Sequence, residues 1–251
     1  MKTASSFITI SCIGSLLFLS SCVHYYYQPS ANNVPLFKEK GEARIQAQAS
    51  GGNDLSGFDA QTAYAVGNHT GLQLNFFHTG DKEQDIGVGR GNYIEAAAGY
   101  FHPLHNNHWI FETYAGIGHG SILNVYNSSD INDNSASSKF GVTKFFAQPS
   151  FGFRTKYFSM ALSSKLGLAS FSLVNSSLKK DGDYSYDAAD VEFLNGKSFF
   201  LWEPGFMMRG GFEHFQVLFQ VTRSVPFSSG LIMDDINASL GIIVPFKTKA
   251  R

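Results

Sequence analysis

The stretch Tyr157–Leu168, YFSMALSSKLGL, carries the pattern that decides the fold. Large apolar side chains occupy alternate positions, namely Phe158, Met160, Leu162, Leu166 and Leu168. Between them lie Tyr157 and a set of small or polar residues, Ser159, Ala161, Ser163, Lys165 and Gly167. Successive side chains of a β-strand point to opposite faces, so a period of two predicts a strand with one apolar and one polar face.

The same alternation recurs along most of the chain. It is clear in 145–154, 214–222 and 236–246, and weaker in 42–50, 58–66, 70–78, 92–101, 108–118 and 198–209. Short connections at 67–69, 102–108, 154–156 and 209–211 alternate with longer polar ones at 51–57, 79–91, 119–143, 169–197 and 223–235. This arrangement predicts an all-β fold, an up-and-down antiparallel transmembrane β-barrel of about ten strands (about 8–12). A sandwich would instead use crossover connections.

The aromatic residues favour a membrane barrel over a soluble one. Several strands have about 10–12 residues, which is enough to span a bilayer at a tilt. With the short turns in the periplasm, one aromatic group lies near the inner interface: Tyr100, Trp109, Phe153, Phe158, Phe206, Phe215 and Phe246. A second lies near the outer one: Phe76, Phe145, Phe200 and Trp202. Two such girdles are typical of a lipid-facing surface, whereas a soluble lipid-binding barrel turns its apolar face inward.

The N-terminus predicts export. Lys2 is followed by a short apolar run over about 7–19 and then by Leu19-Ser20-Ser21-Cys22. These four residues match the bacterial lipobox, and the segment resembles lipoprotein precursors, in which the cysteine becomes the acylated first residue of the mature chain. The resemblance implies lipidation at Cys22, with palmitate among the acyl groups. An ordinary signal peptide with a chance cysteine is the alternative.

The lipobox followed by about ten strands, the last of which ends at Phe246, resembles small outer-membrane β-barrel proteins of Gram-negative bacteria, in particular their lipoprotein variants. We therefore expect a signal peptide over 1–21, a barrel in the cell outer membrane over 42–246 and a basic tail over 247–251. Residues 22–41 have no periodicity and predict a flexible, lipid-anchored tether. The expected partners are outer-membrane lipids and the outer-membrane assembly machinery.

Ionisable residues of both signs fall on the predicted inward faces. They are Arg44, Glu95, Glu112, Arg154, Lys165, Glu203 and Arg209. A barrel of this size has little free lumen once side chains fill it, and buried charges are costly unless they are paired. The balance of signs therefore favours a paired network that plugs the barrel over a narrow polar channel.

Residues 181–192 carry the strongest hint of a metal site. Asp181, Asp183, Ser185, Asp187 and Glu192 have the spacing of ligands 1, 3, 5, 7 and 12 in an EF-hand-like calcium loop. However, Tyr186 occupies the position that requires glycine, so a solvated acidic loop is the preferred interpretation. His102, His105 and His108 cluster in one turn and are likewise better explained as interfacial residues than as metal ligands. Apart from the covalent lipid, no cofactor is expected.

Catalysis is the rival class of function, since an omptin-like protease or a lipid A hydrolase would place acids and a histidine at the outer rim. Asp81, Asp85, Asp234 and Asp235 are predicted there together with His78 and His119, while His214 falls at the opposite end. No partnering pattern links them. The preferred function is non-catalytic: envelope integrity, adhesion through loops 119–143 and 169–197, or restricted solute passage. With 19 basic and 20 acidic residues, no nucleic-acid partner is expected.

Overall fold

The computed structural model describes residues 24–81, 87–104, 107–126, 136–179 and 185–248. One helix, α1 (Ser185–Leu194), accompanies eleven strands in these ranges. The strands are β1 (Glu42–Gly51), β2 (Leu55–Ala65), β3 (Thr70–Asp81), β4 (Gly87–Pro103), β5 (Trp109–Tyr126), β6 (Ala136–Arg154), β7 (Phe158–Ser176), β8 (Ser198–Phe212), β9 (Phe215–Arg223), β10 (Val225–Pro226) and β11 (Ile236–Lys247). Within the residues described, no helix combines the length and apolar character needed to cross a membrane.

The strands form a closed barrel. Each long strand pairs antiparallel with its neighbours in the chain, and β1 pairs with β11 to close the sheet. The two-residue β10 continues the register of β9 against β8, because Thr222 pairs with Gly205 and Val225 pairs with Trp202. Because β9 and β10 share one position in the sheet, the barrel has ten strand positions, and the predicted up-and-down barrel of about ten strands is confirmed.

The two ends of the barrel differ in their connections. At the turn end, short connections join β2 to β3, β4 to β5, β6 to β7 and β8 to β9, and residues 41 and 248 meet there through the hydrogen bond from Thr248 N to Gly41 O. At the loop end, β1 ends at Gly51, β3 at Asp81, β5 at Tyr126, β7 at Ser176 and β9 at Arg223. The predicted extents of loops 119–143 and 169–197 were wrong, because β5 continues to Tyr126, β6 begins at Ala136 and β7 continues to Ser176.

The barrel exposes its apolar face and buries its polar one. Outward side chains such as Phe145, Leu162 and Leu240 are more than half exposed. Inward side chains such as Gln61, Gln148 and Gln220 are buried. This orientation excludes the soluble lipid-binding barrel, whose apolar face would have to line the interior. It matches the distribution of a barrel surrounded by lipid.

The apolar exterior ends at a polar row around the barrel wall. Cross-strand pairs mark this row: His78 Nδ1 lies 2.8 Å from Asn92 Oδ1, His119 Nδ1 lies 3.0 Å from Thr143 Oγ1, and the hydroxyls of Ser170 and Ser198 are 2.7 Å apart. On β5 the outward apolar side chains run from Trp109 to Ile117. At about 3.3 Å per residue and a tilt of about 40°, this stretch covers roughly 20–25 Å, the height of a membrane band.

The predicted tether is the main correction to the sequence analysis. Residues 26–37, which we call the lumen segment, are buried inside the barrel rather than extended in solvent. The segment begins at the loop end, where Tyr26 N donates to Ile232 O, and ends at the turn end, where the Phe37 ring packs against Phe101. Its Asn, Gln and Pro residues show no periodicity because they form contacts one by one with the barrel wall, not as a regular element. The lipobox, the rest of 1–23 and the tail residues 249–251 lie outside the described residues.

Candidate functional site

The lumen segment is held by side-chain amides that project inward from strands around the barrel. Gln148 Nε2 and Gln73 Nε2 both donate to Asn33 O, at 2.7 and 3.1 Å. Three more carbonyls of the segment accept one amide each: Ala31 from Gln61 (2.8 Å), Asn32 from Gln220 (2.7 Å) and Pro29 from Asn237 (2.9 Å). An extended chain buried without sheet partners leaves its carbonyls unpaired, and these amides satisfy them.

Side chains of the segment return contacts to the wall. Asn33 Nδ2 donates to Asn75 Oδ1 at 2.6 Å and to Thr62 O at 3.1 Å. Asn32 Nδ2 donates to Ser163 Oγ at 3.0 Å. Because these contacts reach β2, β3 and β7, the segment is fixed to opposite parts of the wall.

A lysine cluster lies in the middle of the lumen. Lys144 Nζ is 3.0 Å from Glu95 and 3.2 Å from Glu203, and Lys165 Nζ is 3.1 Å from Glu95. Tyr27 of the lumen segment joins the cluster, since its hydroxyl donates to Glu203 and accepts from Lys144. Two lysines and two glutamates balance in charge, which limits the cost of burying them.

An arginine cluster surrounds the turn-end part of the segment. Arg209 Nη2 donates to Pro35 O at 3.0 Å and Arg154 Nη1 to Leu36 O at 2.8 Å. Arg44 donates to Val34 O and to the Asn33 side chain, while Glu112 accepts from Leu36 N at 2.9 Å. A further ion pair joins Arg154 to Glu42 at 2.6 Å.

The seven charged residues singled out from the sequence therefore all line the lumen, but in two separate groups. Glu95, Lys165 and Glu203 belong to the lysine cluster, whereas Arg44, Glu112, Arg154 and Arg209 surround the segment's backbone. Sequence reasoning missed Lys144 and Tyr27. Lys144 lies on the polar face of an alternating stretch, and this position could have predicted an inward side chain. Tyr27 lies in a stretch without periodicity, so nothing in the sequence pattern predicted its position in the lumen.

The loop end is covered by three pieces that pack together. The start of the lumen segment pairs with 232–234, because Tyr26 N donates to Ile232 O and Asp234 N donates to Tyr27 O. Helix α1 contributes Val191 and Leu194 to an apolar cluster with Tyr26. The cluster also includes residues of the barrel wall, Phe140, Val142, Ala169, Phe171, Phe199 and Leu201.

Asp234 connects the part of this cover at 232–234 to the chain between β1 and β2. Its carboxylate is fully buried and accepts from the backbone N–H groups of Asn53 (3.0 Å), Asp54 (3.1 Å) and Leu55 (3.0 Å). Its neighbour Asp235 pairs with Arg223 at 2.9 Å. Asp234 and Asp235, two of the four acids considered for catalysis at this rim, thus have structural partners.

The calcium-type spacing does not form a calcium-type loop in the described part. Ser185, Asp187 and Glu192 lie on α1, where the backbone runs straight and does not wrap around a cation as an EF-hand loop does. Asp181 and Asp183 lie outside the described residues. Asp187 is 3.6 Å from His24 Nδ1. Burial, and then the nearby Asp187 charge, raises the pKa of the Asp190 carboxyl.

The histidines are dispersed. The His102 ring is tilted against the His69 ring at 5.4 Å between centroids, and His108 stacks on Phe153 at 5.8 Å, both at the turn end. His78 and His119 belong to the outward polar row, and His214 lies in the β8–β9 turn. Among the described residues, no three His, Cys, Asp or Glu side chains are grouped as metal ligands. Asp81 ends β3, and His105 and Asp85 fall outside the described ranges.

Two cavities lie at opposite ends of the lumen segment. A polar one of about 210 Å³ opens at the turn end and reaches Pro35 and Arg209. A smaller one of about 40 Å³ lies at the loop end beside Tyr27 and Tyr93. The segment with its two charged clusters occupies the space between them.

Comparison with known proteins gives a fold-level likeness. No protein-family model matches the chain, and no curated protein sequence is significantly similar to it. Among solved structures, the chain is similar to the translocator domain of the autotransporter NalP from Neisseria meningitidis. The TM-score is 0.48 at 10% identity, over 82% of this chain and 88% of that one. The barrel assignment for this chain rests on its own strand pairing.

Proposed function

We propose that the protein is an outer-membrane lipoprotein whose barrel is sealed by its own N-terminal segment, and that it serves as a non-conducting, non-catalytic surface element. The observation that carries this proposal is the burial of residues 26–37 inside the barrel. A protein whose lumen is filled along its length by its own chain offers solutes no open path. Of the non-catalytic roles considered, envelope integrity and adhesion fit this arrangement better than solute passage.

The exterior supports the membrane location. An apolar band bounded by a polar row on one side and aromatic turn-end residues on the other has the dimensions of an outer-membrane barrel. At the turn end, for example, the Trp109 ring stacks on Phe151 at 5.3 Å between centroids. Aromatic rings of this kind favour the interface between lipid and water.

The loop-end surface supports a role in contact with other molecules. Tyr186 on α1, beyond the apolar band, is 87% exposed. Phe193 is also exposed, with Lys197 Nζ 5.4 Å from its ring centroid. Large apolar side chains displayed in water away from lipid are suited to binding a partner. We assign adhesion to this part of the surface, within the regions first predicted as loops.

The lipid anchor is supported by the lipobox. We expect Cys22→Ala to abolish incorporation of radiolabelled palmitate, because the acyl acceptor is the thiol of that residue. The barrel itself should still assemble, since residue 22 precedes every described contact. Palmitate labelling that persists in Cys22→Ala would contradict the assignment.

Conductance in planar bilayers tests the seal. We expect the full-length protein to be silent and a variant lacking 26–37 to show discrete conductance steps, because the deletion removes the chain that occupies the lumen. Heat-modifiable migration on a gel would verify that the variant has formed its barrel. Steady conductance of equal size in both proteins would overturn the proposal, and silence of both would show that wall side chains alone close the lumen.

A further inference from the structure

The lumen segment runs through the barrel in one direction. Near its start, Tyr26 Oη lies 2.9 Å from Tyr126 Oη, at the loop-end terminus of β5. In the middle, Asn33 contacts β2 and β3. At its end, Phe37 packs on Phe101 near the start of the β4–β5 turn. The chain thus enters the lumen at the loop end and leaves it at the turn end before β1 begins.

The residues before the segment stay at the loop end. The His24 ring lies 4.1 Å from the Tyr126 ring, and its Nδ1 is 3.6 Å from Asp187 of α1. Tyr25 makes two contacts at the same loop end, since its hydroxyl donates to Asp54 and its carbonyl accepts from Asn124 at 3.2 Å. The start of the described chain is therefore fixed to three different parts of the loop end.

Chain length then limits where the lipobox cysteine can be. Consecutive Cα atoms are about 3.8 Å apart, so Cys22 lies within about 8 Å of His24. Crossing from the loop end to the turn end takes the chain from Tyr26 to Phe37, and two residues are far too few to return over that distance. The described chain therefore starts on the same side as α1 and the long connections.

We infer that the acylated N-terminus is displayed at the outer surface of the cell, so that the lipid anchors the barrel from outside. This inference rests on the proposed function, in which Cys22 is acylated, and on the orientation predicted from the sequence, with the short turns in the periplasm. A tether outside the barrel would place the acyl group in the periplasmic leaflet, next to residues 41 and 248. Threading through the lumen reverses that arrangement: the acyl group is carried to the external leaflet.

The threaded path also constrains assembly. The segment contacts inward side chains of strands on all sides, including β2, β6 and β9. The barrel therefore closes around the segment, with the acylated end already passed toward the loop side. A closed lumen filled with buried ion pairs would not admit the segment afterwards.

An epitope inserted between Val23 and His24 of the full-length protein tests the inference in intact cells. We expect an antibody to bind it without permeabilisation, as it should bind the same epitope placed at Gly196 between α1 and β8. The matched control places the epitope at Lys156 in the exposed β6–β7 turn, where binding should require permeabilisation. An N-terminal epitope that becomes accessible only after permeabilisation would overturn the inference, even if the Gly196 epitope is exposed.

A protease site beside the same epitope separates this inference from the proposed function. External protease should release most of the palmitate label from the barrel in intact cells, whereas label that resists until permeabilisation would overturn surface anchoring. If no palmitate is ever incorporated, the lipidation proposal fails, while epitope accessibility still reports the path of the chain. Should the insertion impair assembly, His24→Cys with a membrane-impermeant maleimide replaces it, with Lys179→Cys and Lys156→Cys as the outer and inner controls. Labelling of His24→Cys that follows Lys156→Cys would overturn the inference.

Discussion

Lys144 is the residue on which the acidic side chains of the lumen converge. It lies between Glu95 and Glu203, is fully buried from solvent and also donates to the Tyr27 hydroxyl. Removing one partner of a buried ion pair leaves the other charge uncompensated, which costs more than the pair itself contributes. Lys144 thereby links the wall to the lumen segment.

We expect Lys144→Met to destabilise the barrel by about 3–5 kcal/mol, because two buried carboxylates lose their shared cation. Lys139→Met, on the exposed face of the same strand, is the matched control and should change little. Denaturant unfolding in detergent or lipid vesicles measures both. Adding Glu203→Gln to Lys144→Met should restore part of the loss. Equal stability of the two single variants would show that the cluster is not formed.

Strand β7 illustrates how one element meets two environments. Its outward face from Phe158 to Leu168 is apolar except for Ser164, which accepts from Trp202 Nε1 at 2.9 Å, and it becomes polar at the row where Ser170 pairs with Ser198. The neighbouring strands β4, β5 and β6 likewise continue beyond the row as paired sheet. These extensions continue beyond the apolar band toward the loop end. Together they surround the space in which α1 and the start of the lumen segment pack.

Arginine substitutions on the two halves of β7 should have different consequences. Leu162 and Val174 point outward and are similarly exposed, at 65% and 62%, but only Leu162 lies in the apolar band. We expect Leu162→Arg to cost roughly 2–4 kcal/mol in lipid and Val174→Arg to cost close to none. Unfolding in lipid vesicles compares them directly. Similar losses for both would contradict the position assigned to the membrane boundary.

The same strand shows what sequence reasoning could and could not predict. Inside the band, the alternation of large apolar and small polar side chains was sufficient to predict all ten long strands. Beyond the band both faces of a strand meet polar surroundings or the local cover, so the alternation fades, and Ser170–Ser176 was predicted as part of a loop. The lumen segment was missed for a related reason. Its polar residues are satisfied individually by wall amides, and such contacts leave no periodic signal in the sequence.

At the scale of the whole molecule, a barrel, a threaded segment and a loop-end cover form one closed unit. The inward charges were predicted from the strand pattern, and all seven lie in the lumen. Their partners were not predicted, because the arginines bind backbone carbonyls of 34–36 that come from a stretch expected to lie in solvent. The central claim is accordingly that residues 26–37 occupy the lumen of the native barrel.

Thiol accessibility at residue 30 tests that claim most directly. Ser30 is buried, and Ser30→Cys is nearly isosteric, while the only other cysteine expected in the mature chain is the acylated Cys22. Lys156→Cys in the exposed turn is the control. The account predicts that a water-soluble maleimide labels Lys156→Cys at once but labels Ser30→Cys only after denaturation. Labelling of folded Ser30→Cys at the rate of Lys156→Cys would place the segment in solvent and contradict the threaded barrel.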